Sequence, residues 1–106
     1  MTAVVLLERT QEFLRETLLG DQDPDAKVRQ LIEAEYLRQV ARYRRVDMAL
    51  THKYDMSFDD FVARRITRQR GYTWEVEQDA MDWETAVGGM ATIERKLKEL
   101  REIGSE

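Results

Sequence analysis

A chain of 106 residues has the size of one compact domain, whose core removes only about two-thirds of the unfolded surface from water. Its 36% charged and 42% hydrophobic residues suit amphipathic helices and exclude a disordered chain, and the absence of cysteine excludes a disulfide framework or a thiolate metal site. A net charge of −4 opposes whole-molecule attraction to nucleic acid or anionic membranes.

The stretch Thr2 to Leu7 lacks the basic lead and long apolar run of a signal peptide or membrane span. A cytoplasmic protein without membrane association is therefore expected. Residues 1–25 carry two basic and six acidic groups, residues 26–70 eleven and six, and residues 71–106 four and nine. A basic middle lies between acidic ends, and the expectation is that these charges pair within the fold.

Apolar spacing predicts an all-α chain, a small bundle of about four helices with a long second helix and a long C-terminal helix. The first is expected from Ala3 to Leu19, with Val4, Leu7, Leu14 and Leu18 on one stripe, Leu6 and Phe13 beside it, and Gly20 as terminator. Asp23 before Pro24 supplies an N-cap and a first-turn proline for the second helix, which continues to about Lys53. Its rows Val28-Ile32-Tyr36-Val40-Tyr43-Leu50-Tyr54 and Leu31-Ala34-Leu37-Ala41-Met48 form a broad face that predicts two neighbours. Ser57 and Asp60 read as a capping box opening a third helix from Phe58 to about Arg70, burying Phe58, Phe61, Val62 and Ile66 and ending at Gly71.

Thr73 caps the last helix, and Glu75 and Glu77 in its first turn favour the positive end of the helix dipole. Its apolar positions are Val76, Ala80, Trp83, Val87 and Met90, then Ile93, Leu97, Leu100 and Ile103. This is a heptad seam with one stammer beside Gly88-Gly89, where a bend or break is expected. The seam is longer than a small domain covers, so residues 93–106 are expected to project from a single domain spanning 1–106. Trp74, Trp83, Val87, Met90, Ile93, Leu97, Leu100 and Ile103 are then the candidate contact to another small protein or to a second copy.

No nucleophile site, phosphate loop or paired catalytic carboxylates stand out, and no cofactor or metal is expected. Glu75, Asp79 and Asp82 share a helix face but read as a solvated surface answering Arg64, Arg65, Arg68 and Arg70. Arg38, Arg42, Arg45, Arg64, Arg65 and Arg68 are the candidate polyanion contacts, a reading less favoured for want of any nucleic-acid motif. Arg45 and His52, separated by six residues, resemble the arginine–six–histidine element of the HEPN nucleases, helical dimers that cleave RNA. That resemblance implies phosphate stabilisation by Arg45 and proton exchange by His52, although Val46 occupies a position that is usually polar.

The strings Lys53-Tyr54-Asp55-Met56-Ser57-Phe58-Asp59-Asp60-Phe61 and Gly71-Tyr72-Thr73-Trp74-Glu75-Val76-Glu77-Gln78-Asp79-Ala80-Met81-Asp82-Trp83-Glu84 carry a wider likeness. Over about residues 30–100 the chain resembles a family of small uncharacterised helical proteins of archaea and cyanobacteria, antitoxin-like partners of a neighbouring small toxin. The resemblance implies neutralisation by binding, without catalysis.

Overall fold

A computed structural model describes residues 5–20 and 23–103. Helix accounts for 84% of them, with no strand among the described residues. The order is α1 (Glu8–Thr17), α2 (Pro24–Tyr54), α3 (Phe58–Ala63), α4 (Ile66–Gln69) and α5 (Trp74–Ile103). The all-α expectation holds, with its long second and last helices. Val4, Asp21 and Gln22, and residues 104–106, lie outside the described part.

The spine starts with local chemistry. Asp23 accepts a hydrogen bond from the Ala26 N–H at 2.8 Å and Pro24 opens α2, whose other end closes on Asp55 in the left-handed region. At the head of α5 the Thr73 hydroxyl accepts from the Val76 N–H. α2 and α5 have 31 and 30 residues, each about 45 Å long at 1.5 Å per residue. They run antiparallel, as Lys53 beside Asp79, Arg44 beside Glu94 and Glu33 beside Arg101 show. The molecule is a rod, 58 Å in its longest dimension, with a radius of gyration of 19.8 Å against about 13 Å for a compact domain of this length.

This pairing corrects the expected projection of the C-terminal helix. α2 is as long as α5, so its first half covers the second half of α5: Ile93 and Leu97 are buried with Val40, flanked by Tyr36 and Tyr43. Leu100 is half-buried, and Ile103 alone of that row is exposed. The second row of α2 is left largely uncovered by the described residues, with Leu31, Leu37, Ala41 and Met48 exposed and Ala34 half-buried. On α1 only Leu14 is buried, while Leu7 and Phe13 face solvent.

No break occurs at Gly88-Gly89, because α5 is continuous there. A side chain at Gly89 would put its Cβ 2.5 Å from the Tyr43 ring, whereas one at Gly88 would meet nothing. Gly89 thus lets Tyr43 lie flat against bare backbone. Alanine normally gains about 1 kcal/mol over glycine inside a helix, and overpacking costs roughly 1–3 kcal/mol. In urea denaturation Gly88→Ala is expected to raise stability by roughly 0.5–1 kcal/mol and Gly89→Ala to lower it by roughly 1–2 kcal/mol.

Candidate functional site

The end of the rod where α2 turns into α5 holds the larger core. Trp83 is fully buried there, its ring centroid 5.1 Å from Phe61, 5.5 Å from Phe58 and 5.9 Å from Tyr54. The indole N–H donates to Asp47 Oδ1 at 2.8 Å, so the polar edge of the ring is satisfied. Leu50, Ile66 and Val76 complete the cluster.

Beside it the Lys53 ammonium donates to Glu75 and Asp79 at 2.6 Å each, and the Tyr54 hydroxyl donates to the same Asp79 oxygen at 2.6 Å. Burial works to raise the Asp79 carboxyl, but the hydrogen bonds from Lys53 and Tyr54 outweigh it and hold the pKa below its ordinary value. Tyr54 is pushed up to about 12, first by burial and then by its bond to Asp79. Lys53 is raised by its bonds to Asp79 and Glu75.

The expected third helix is two helices. Ser57 caps α3 by accepting from the Asp60 N–H, but no return bond from the Asp60 side chain occurs among the described residues. α3 ends at Ala63 with Arg64 as its cap, Arg65 takes left-handed angles (φ 52, ψ 50), and α4 restarts at Ile66. The reason is geometric. Phe61 and Ile66, five residues apart, would point about 140° apart on one continuous helix, and the reversal at Arg65 lets both enter the Trp83 cluster. Gln69 Nε2 donates to the Arg64 carbonyl freed by the break. A second reversal at Gly71 (φ 72) and Tyr72 (φ 54) then aims the chain into α5.

These two reversals frame an open groove of about 580 Å³ between α3, α4 and α5. Phe61, Ile66 and Ala80 line its inner part, while Arg65, Arg68 and Tyr72 stand at its exposed edge. Val62, expected in the core, is exposed on its wall, and Glu84 contributes the one carboxylate of the lining.

The expected pairing of the acidic face with the arginines does not occur. Glu75 and Asp79 are held by Lys53, and Asp82 accepts from Gln78. Arg64, Arg65 and Arg68 enter no ion pair among the described residues, and Arg70 lies over the Tyr54 ring at 5.4 Å. On α2, by contrast, Arg38 and Arg42 meet Glu35, and Arg44 lies near Glu94.

Of the candidate contact residues, Trp83 is wholly internal, Val87 and Met90 are half-buried, and Trp74 is 80% exposed. Arg45 and His52 are both exposed on α2, and neither side chain hydrogen-bonds among the described residues. Nor do any three His, Cys, Asp or Glu side chains among those residues converge as metal ligands. The groove itself had one sequence signal, the stretch Arg64 to Arg70 with four arginines and no carboxylate. Its shape depends on two backbone reversals, of which only Gly71 announces itself. Comparison with family models, curated proteins and solved structures finds no match to this chain.

A left-handed arginine costs about 1–2 kcal/mol that glycine does not pay, partly offset by the roughly 0.4–1 kcal/mol that glycine's extra freedom gives the unfolded chain. Arg65→Gly is therefore expected to raise stability by about 0.5–1 kcal/mol in chemical denaturation.

For Asp79 the sign follows from its lowered pKa. The carboxylate's contribution is complete above its ordinary value of 3.8 and is lost as pH falls through the lower folded value. Urea midpoints measured from pH 6 down to about 2 should fall less steeply in Asp79→Asn than in the parent protein.

Proposed function

We propose that this protein is a non-catalytic interaction module of the cytoplasm, an antitoxin-like chain that neutralises a small partner protein by binding it. The contact lies at the head of the rod, around Trp74 and around Arg64, Arg65 and Arg68 at and beside α4, and not along the last turns of α5. The observation that carries this reading is an exposed tryptophan close in sequence to three arginines that enter no ion pair among the described residues. Tryptophan and arginine dominate interface energetics, and an aromatic side chain 80% exposed on a stable helix gains most from a partner's pocket. The resemblance to antitoxin-like helical proteins points the same way.

The test is co-expression with the adjacent small gene in a host that the neighbour arrests. Relief of arrest by this chain, lost in Trp74→Ala with helicity unchanged by circular dichroism, is the expected result. Absence of arrest, or relief indifferent to Trp74, would overturn the reading. RNA cleavage by the purified chain that disappears in Arg45→Ala or His52→Ala would replace it with the nuclease alternative.

One observation favours a homo-oligomer as a second reading. The exposed row Leu31, Leu37, Ala41 and Met48 runs along α2 at helical spacing, which suits a second copy packed helix to helix. Light scattering checks it: a dimer converted to monomer by Leu37→Glu with Met48→Glu is the expected signature.

A further inference from the structure

We infer that the groove between α3, α4 and α5 is a docking site for an acidic peptide segment of another protein, one that presents an apolar side chain flanked by carboxylates. The inference rests on the interaction-module reading and adds the place and chemistry of the contact. Three observations converge on it.

The first is charge. Arg65 and Arg68 line the groove, Arg64 and Arg70 adjoin them in the chain, and the seven residues from 64 to 70 contain no carboxylate. Of the acidic groups at the start of α5, Glu75 and Asp79 are engaged by Lys53 and Asp82 by Gln78. Guanidinium groups without a counter-ion hold carboxylates well, since their planar forks take both oxygens. Glu84 on the opposite wall sets direction, so the occupant's carboxylates lie along α4 and its uncharged side faces α5.

The second is apolar surface. Phe61, Ile66 and Ala80 give the groove an oily interior, and Val62 and Tyr72 remain 57% and 59% exposed beside it. A volume of about 580 Å³ lies within the usual range for sites that take side chains or small ligands. A phosphate backbone would gain nothing from that interior. The arginines of α2, paired with Glu35, do not extend the basic surface along the rod.

The third is backbone conformation. Arg65 and Tyr72 are two of only three non-glycine residues with positive φ among the described residues, and both stand on the groove's edge. Such angles persist where the surroundings impose them, and they collect at binding sites. Here they turn the Arg65 and Tyr72 side chains to opposite ends of α4, on the rim of one groove.

The experiment selects from a random-peptide display library on the immobilised full-length chain. The selected peptides are expected to be enriched in Asp and Glu around Leu, Phe or Trp, to bind more weakly as salt is raised, and to lose roughly tenfold or more in affinity for Arg65→Gly and for Val62→Glu. Arg65→Gly is the decisive variant, because glycine keeps the left-handed turn while the side chain and its guanidinium are removed. Unaltered affinity in that variant, no enrichment of acidic residues, or no selected peptide at all would overturn the inference. So would displacement by oligouridylate RNA, which would make the site a phosphate site, or a dimer of this chain that Arg65→Gly dissolves, which would make a second copy the occupant. Relief of toxin arrest that survives Arg65→Gly with Val62→Glu would leave the interaction module standing and remove the groove from it.

Discussion

Trp83 sits where every element of the head meets. Its ring packs against Tyr54 from the end of α2 and against Phe58 and Phe61 from α3, and its N–H is anchored on Asp47 one helix away. Aromatic pairs of this kind contribute about 0.5–1.5 kcal/mol each beyond the area they bury. One side chain thereby sets the distance between α2 and α5, the position of α3 and the need for α3 and α4 to part company. Phe61 and Ile66 can share the space next to that ring only if the chain reverses between them.

From that anchor the rest of the rod is a matter of matching lengths. Two helices of 31 and 30 residues laid antiparallel bury each other's seams end to end, first the Trp83 cluster, then the Gly89–Tyr43 contact, then Val40 with Ile93 and Leu97. A rod two helices thick has little interior for its size. It also leaves outer faces that a compact bundle would cover, including the Leu31-to-Met48 row of α2. The surface open to partners is a consequence of shape as much as of composition.

Electrostatics divide the same way. Charges that face a neighbouring element find partners, as Lys53 does with Glu75 and Asp79 and Arg101 does with Glu33. Arg64, Arg65 and Arg68, around α4, enter no ion pair among the described residues. Exposed pairs add little stability, so the ion pairs along the rod fix register more than they hold it together. The unpaired arginines, by contrast, keep their full capacity for an outside carboxylate.

Local rules were legible in the residues themselves. Asp23-Pro24, Ser57 and Thr73 mark helix starts and Gly71 a stop, because caps and turns depend on neighbours within four residues. The 3.6-residue rows of α2 and α5 likewise announced two long helices. Which apolar row meets which partner is a property of the whole chain. Ile93 and Leu97 became core because α2 extends far enough to cover them, while Leu37 and Met48, equally apolar, stayed outside because no described element crosses that face. The groove was hidden for a similar reason. Arg65 and Tyr72 have no intrinsic preference for left-handed angles; the demand that Phe61 and Ile66 reach Trp83 together put Arg65 there, and the turn into α5 put Tyr72 there. Sequence by itself determined the helices and their ends through short-range chemistry. Tertiary packing alone decided which faces were left for a partner, because burial is a contest among elements far apart in the chain.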